Sequence, residues 1–98
     1  MLLSRLFMAC FLLLTSVSLQ AEDRNAALLA SSCAACHGTQ GHSVGGMPSL
    51  AGLDRLYFIE QMQLFQRGER PATVMMQHAR GYSEEEIRLL ADFFAKHK

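Results

Sequence analysis

The chain has 98 residues, with nine basic and nine acidic side chains and a formal net charge of zero when histidine is neutral. A chain this short and this evenly charged is one small domain, and the lack of a basic surplus argues against nucleic acid as its partner. Half of the residues are hydrophobic, and the chain contains three cysteines, at positions 10, 33 and 36.

Residues 1–21 read as a cleaved export signal. Arg5 is the only charge, an apolar run follows from Leu6 to Leu14, and small and polar residues lead to Ala21, after which Glu22-Asp23-Arg24-Asn25 opens the working chain. Ser18 is a second possible cleavage point. The apolar run falls short of the roughly 20 residues that a membrane-spanning helix needs, so a removable leader is expected rather than an anchor. Cys10 belongs to this leader as an ordinary residue, because Phe7-Met8-Ala9-Cys10 makes a poor lipid-attachment box.

Residues 22–98 then form the domain. Removing the leader takes away Arg5 and no acidic residue, so the remainder stays within one charge of neutral. A domain of this size buries only about 60% of its unfolded surface, which leaves a single core marginal without a disulfide, a metal or a cofactor. Export favours a disulfide or a thioether over free thiols at Cys33 and Cys36.

The first predicted element of the domain covers residues 23–37, DRNAALLASSCAACH, with Ala26, Leu29 and Ala30 at helical spacing. It delivers Cys33-Ala34-Ala35-Cys36-His37 at its end. Two cysteines so spaced can be a redox dithiol, half of a zinc site, or the attachment point of a covalent haem. A thioredoxin-like dithiol begins a helix in a strand-helix-strand setting, whereas this pair follows a helix and no alternating strand pattern occurs in the sequence. A closed zinc site would need two further ligands from His42, His78 and His97, none of them at finger spacing. Haem attachment uses all three residues at once: each thiol adds to a vinyl group and His37 is brought to the iron.

A glycine-rich loop follows over residues 38–52. The second predicted helix runs from Asp54 to Arg67, with Tyr57, Phe58, Met62, Leu64 and Phe65 roughly on one side and Gln61 interrupting that face. Gly68 and Pro71 stop it. A second loop over residues 68–82 holds Met75 and Met76. The last helix begins at Ser83, whose capping-box partner is Glu86, and carries Ile87, Leu90, Ala91 and Phe94 on one stripe. Glu84 to Glu86 in its first turn and Lys96 to Lys98 in its last suit the helix dipole. The fold class is therefore all-α, with about three main helices and long loops wrapped around a cofactor.

Electron-transfer haems commonly pair histidine with methionine, whose thioether raises the reduction potential by stabilising ferrous iron. Met62 lies on the apolar face of the second helix and reads as core. Met47 sits close behind the haem motif, too near to reach easily around a porphyrin. Met75 and Met76 lie well downstream, where the chain can return over the distal face, and the residues alone leave the choice between them open.

The stretches CAACHG, MPSLAG, GERPATVM and ARGYSEEEI, in this order, resemble the class I cytochromes c. The last two are most similar to the cytochrome subunits of flavocytochrome c sulfide dehydrogenases. The resemblance spans about Cys33 to Phe94. It implies one haem c held by thioethers to Cys33 and Cys36, with His37 as proximal and Met75 as distal iron ligand. It also implies that Pro48 supplies the carbonyl that receives the other N–H of the His37 ring. Met76 and His78 stand where relatives often carry glycine and an apolar residue, which leaves Met76 and His78 as alternative ligands.

The function expected from this reading is single-electron carriage in the periplasm without catalysis, with redox proteins as partners and a sulfide dehydrogenase flavoprotein foremost. A soluble shuttle to a terminal oxidase or another redox enzyme is the alternative. A haem enzyme or sensor with a displaceable distal ligand is the alternative of another class. Arg67, Arg70, Arg80 and Arg88 read first as solvated surface charges, with a place at the haem edge against a partner or a propionate as the alternative, Tyr82 as packing against the haem, and His42 and His97 as exposed.

Overall fold

The computed structural model describes residues 2–98, with side chains described for 2–8 and 24–98. Every regular element among the described residues is helical: α1 (Leu2–Ser31), α2 (Ala34–His37), α3 (Arg55–Gln66), α4 (Met75–Arg80) and α5 (Glu84–Lys96), with a single 3-10 turn at Thr39–Gly41. The all-α class and the three principal helices agree with the sequence reading. Cys10 and the cleavage point of the leader lie outside the residues whose side chains are described. Leu2, Leu3, Leu6, Phe7 and Met8, which are described, are all exposed.

Two differences from the expected elements have local causes. The helix expected through His37 ends at Ser31. There Ser31 Oγ donates to the Leu28 carbonyl at 2.6 Å and Ser32 Oγ to the Leu29 carbonyl at 3.0 Å, a competition with the helical ladder that serines commonly set up. The haem motif consequently starts its own turn, with His37 N–H donating to the Cys33 carbonyl at 2.9 Å. The second difference is α4, a short helix inside the stretch expected to be loop. It forms without a side-chain cap at Val74, and tertiary bonds hold it. Gln66 Nε2 donates to the carbonyls of Ala79 at 2.8 Å and Tyr82 at 3.2 Å, while Arg80 Nε returns to the Gln66 carbonyl at 3.1 Å.

The boundaries of α3 and α5 follow their sequence signals. The Asp54 carboxylate accepts from the Tyr57 N–H at 3.0 Å and starts α3. At its other end Gly68 takes a φ of 71°, Glu69 N–H reaches the Leu64 carbonyl and Gly68 N–H that of Phe65, the paired bonds of a Schellman stop. In α5 the Ser83 hydroxyl accepts from Glu86 N–H at 3.1 Å and the Glu86 carboxylate accepts from Ser83 N–H at 2.9 Å, so the capping box is complete.

The core lies where α1 and α3 meet α5, with α4 packed on α3. Phe58, Met62 and Phe65 of α3, Ala79 of α4 and Ile87, Leu90, Ala91 and Phe94 of α5 are buried together with Ala30 of α1. The Phe58 and Phe94 rings pack with centroids 5.7 Å apart. The loop between α2 and α3 is fastened to this core at Gly41, which is buried with a φ of 81°. Its carbonyl accepts from Leu50 N–H at 2.8 Å and Ala51 N–H at 3.2 Å, and Gly52 N–H donates to the Phe94 carbonyl at 2.8 Å. These bonds fix the backbone just beyond Pro48.

Candidate functional site

A cavity of about 300 Å³ opens between the turn that carries the two cysteines, the loop after it, one face of α3 and the start of α4. Phe58, Met62 and Phe65 present core side chains to it, and Leu50 and Leu53 extend that apolar wall. Cys33, Cys36, His37, Pro48 and Met75, from segments far apart in sequence, all border it.

His37 is buried, with 8% of its surface exposed. Its Nδ1 donates to the Pro48 carbonyl at 2.7 Å, which leaves Nε2 as the ring nitrogen able to bind a metal. This is the arrangement that orients an imidazole ligand and strengthens it as a donor. Cys33 is half-buried and Cys36 exposed, and both thiols are unpaired. Burial pushes the Cys33 thiol above its ordinary range, while hydrogen bonds from the Ser32 and Tyr82 side chains act the other way. A redox dithiol requires the opposite direction, because its attacking sulfur works as a thiolate. No group of three or more His, Cys, Asp or Glu side chains placed to hold a metal ion occurs among the described residues, and a structural zinc site needs four ligands.

The methionines separate by position. Met75 opens α4, is half-buried and borders the cavity. Met76 does not border it, and its Cε lies against Gly68. Met62 is both core and cavity wall. Met47, set aside on sequence as too close to the motif, is brought to the cavity as an exposed residue. His78 also borders the cavity from an exposed position. His42 is exposed as expected, whereas His97 is half-buried, stacked on Phe93 with centroids 4.2 Å apart and bonded through Nδ1 to the Phe93 carbonyl.

Two further residues take their partners from the fold. Arg70, read as surface charge, is half-buried at the cavity, its guanidinium donating to Gln61 Oε1 and lying 4.7 Å from the centre of the Phe65 ring. Among the described residues it is the only Asp, Glu, Lys or Arg side chain on the cavity wall. A place at the haem edge is the second reading of Arg70 from the sequence, and the interruption of the apolar face by Gln61 marks the same spot. In addition, Tyr82 borders the cavity and its hydroxyl shares a 2.7 Å hydrogen bond with Ser32 Oγ, tying the end of α1 to the approach of α5. Arg67 pairs with Glu69 and Arg88 with Glu84, both on the exposed surface. An apolar cavity with two thiols, an oriented imidazole, a thioether and one cation fits haem in each of its parts: vinyl groups, iron, macrocycle and carboxylates.

Comparison with known proteins agrees. The sequence profile of the family Cytochrome c matches residues 23–98. The chain is 45% identical over 67 residues to the cytochrome subunit of sulfide dehydrogenase from Chlorobaculum tepidum, covering 68% of this chain and 61% of that protein. It is 38% identical over 71 residues to a thiosulfate dehydrogenase electron acceptor from Thiomonas intermedia, covering 70% of this chain and 33% of that one. A thiosulfate dehydrogenase electron acceptor from Stutzerimonas stutzeri is 37% identical over 67 residues, 31% of its length. The matches thus span between about a third and three fifths of these relatives. The chain belongs to the cytochrome c family, and as a member it carries covalently bound haem c.

Proposed function

We propose that this cytochrome is an exported, non-catalytic acceptor of single electrons from a dehydrogenase that oxidises inorganic sulfur, with a sulfide-oxidising flavoprotein as its donor. Cys33 and Cys36 form the thioethers, His37 is the proximal ligand and Met75 the distal one. The observation that carries the site assignment is the His37 ring, buried and fixed by Pro48 on the same cavity that Met75 borders. The sulfide assignment draws on the C. tepidum relative, which is matched at higher identity and over a larger share of its length than the two thiosulfate dehydrogenase acceptors.

When bound, haem supplies a one-electron iron couple, and the protein sets its potential, orientation and access. The Pro48 carbonyl holds the His37 ring in one tautomer, which would leave Nε2 to bind the iron. The Met75 thioether favours the ferrous state and so raises the potential. Phe58, Met62 and Phe65 keep water from the macrocycle. Arg70, steadied by Gln61, offers its charge to a haem carboxylate.

Residues 1–21 act as the leader that takes the chain to the periplasm, where the thioethers form. The exposure of the described apolar side chains of that segment supports this, since they add nothing to the core. Among the described residues no helix is long and apolar enough to cross a membrane.

The test is purification of the untagged protein from its source, a search for a co-eluting flavoprotein, and addition of sulfide to the pair. Reduction of the haem by sulfide only when the flavoprotein is present supports the proposal. A cytochrome that elutes alone and stays oxidised with sulfide and that flavoprotein, but accepts electrons from a thiosulfate-oxidising enzyme, moves the donor and leaves electron carriage intact. For the distal ligand, the oxidised protein should show the weak far-red sulfur-to-iron band, and Met76→Ala should retain it.

A further inference from the structure

Helix α4 turns two metal-binding side chains toward one cavity. Met75 and His78 stand three residues apart on it, a spacing that places them on the same face, and both border the cavity while Met76 and Gln77 between them do not. The four histidines of the chain differ in how they are held. The His37 ring is bonded to Pro48 and the His97 ring to Phe93, and His42 lies away from the cavity. His78 is at the cavity, exposed, and among the described residues no hydrogen bond ties its ring in place. Its carrier is short: α4 has six residues and no side-chain cap at Val74, and the bonds that hold it lie at its far end, around Ala79 and Arg80.

We infer that His78 is a reserve axial ligand, which takes the sixth position on the haem iron whenever the Met75 thioether leaves it. The inference rests on the reading of Met75 as distal ligand. The exchange involves no oxidation or reduction: the iron–sulfur bond breaks and the lone pair of a neutral imidazole nitrogen forms the new bond. Thioether ligation favours ferrous iron and a high potential, and replacing it by imidazole lowers the potential. The protein then has two closed, low-spin forms of different potential. Loss of the thioether converts an acceptor into a poor one without opening the iron to small molecules such as sulfide. This separates the chain from a haem enzyme or sensor, whose distal position must open.

The experiment compares the haem-loaded full chain as wild type, Met75→Ala and Met75→Ala/His78→Ala, by visible and far-red spectra, midpoint potential and carbon monoxide binding to the ferrous form. The single variant is expected to lose the sulfur band, remain low-spin, fall in potential and bind carbon monoxide slowly. The double variant is expected to become high-spin and bind carbon monoxide rapidly. A single variant that is already high-spin and binds carbon monoxide as fast as the double variant overturns the inference and leaves Met75 as the ligand. A single variant that keeps the sulfur band overturns the Met75 assignment itself, and the inference with it. Should Met75→Ala fail to accumulate, Met75→Leu, which conserves volume without a donor atom, carries the same comparison.

Discussion

Gly41→Ala should damage this protein far beyond the size of one methyl group. Gly41 has a φ of 81°, in the left-handed region, where a side chain costs roughly 1–2 kcal/mol. A Cβ there would also stand 2.7 Å from Ala51 N, 2.9 Å from Phe94 Cδ1 and 3.0 Å from Leu50 Cβ. Two of these neighbours belong to the segment just after Pro48 and the third is a core ring, so relief requires the loop to lift from α5. Overpacking of this kind costs about 1–3 kcal/mol. The combined loss is about 3 kcal/mol, and with a guanidinium slope of about 3 kcal/mol per molar the unfolding midpoint falls by about 1 M. Gly45→Ala is the control, because nothing lies within 4 Å of its Cβ position and its φ is not in the left-handed region. It should be neutral or stabilising by about 0.4–1 kcal/mol through the unfolded chain. Guanidinium unfolding of the haem-loaded variants, followed by haem absorption, reads both. Lifting the loop also loosens the Pro48 carbonyl from His37, which weakens the imidazole as a donor and should raise the midpoint potential of Gly41→Ala. Equal midpoints for the two variants would refute the packing of this loop against Phe94.

Cys33→Ala with Cys36→Ala should prevent accumulation of the exported protein, checked by a haem-stained denaturing gel and an immunoblot of the same sample; a stable colourless protein would contradict the link between cofactor and core. Ser83→Ala removes the acceptor for Glu86 N–H at the start of α5 and should cost about 1 kcal/mol in chemical denaturation. Arg55→Ala breaks the 2.6 Å pair with Asp92, but with side chains 44% and 47% exposed the loss should stay within about 1 kcal/mol and shrink as salt is added.

The sequence was legible where one local rule sufficed. Ser83 and Glu86 close a capping box from within four residues, Asp54 and Gly68 bound α3, and the cysteine–histidine motif, read with the helix before it and the lack of further zinc ligands, names the cofactor. It was opaque where distant residues decide. Helix α4 carries no apolar period, and its formation depends on Gln66 and Arg80 bonding between helices. The break at Ser31 depends on two serine rotamers that composition does not reveal. Gln61 was visible as a flaw in an apolar face, but its partner Arg70 lies nine positions on, beyond the helix stop. Met47 was set aside on sequence distance, whereas the turn at Thr39–Gly41 folds the intervening loop back and brings it to the cavity.

The core itself explains why such a small chain is committed to one cofactor. Its buried hydrophobic residues include four alanines, and the larger ones are Phe58, Met62, Phe65, Ile87, Leu90 and Phe94. Phe58, Met62 and Phe65 serve two surfaces at once, packing against α5 on one side and walling the cavity on the other. These three side chains are only 5–9% exposed, so a large apolar ligand in that cavity would pack against a wall that the core already supplies, which ties its binding to the packing of the core. The same contacts act on the redox chemistry. A macrocycle bound against these core side chains would meet little mobile solvent, and the His37 ring, held by Pro48, would keep one orientation as the iron changes charge. A fold whose core forms one wall of the haem cavity would therefore hold the haem in a nearly fixed environment through each oxidation and reduction, as single-electron carriage requires.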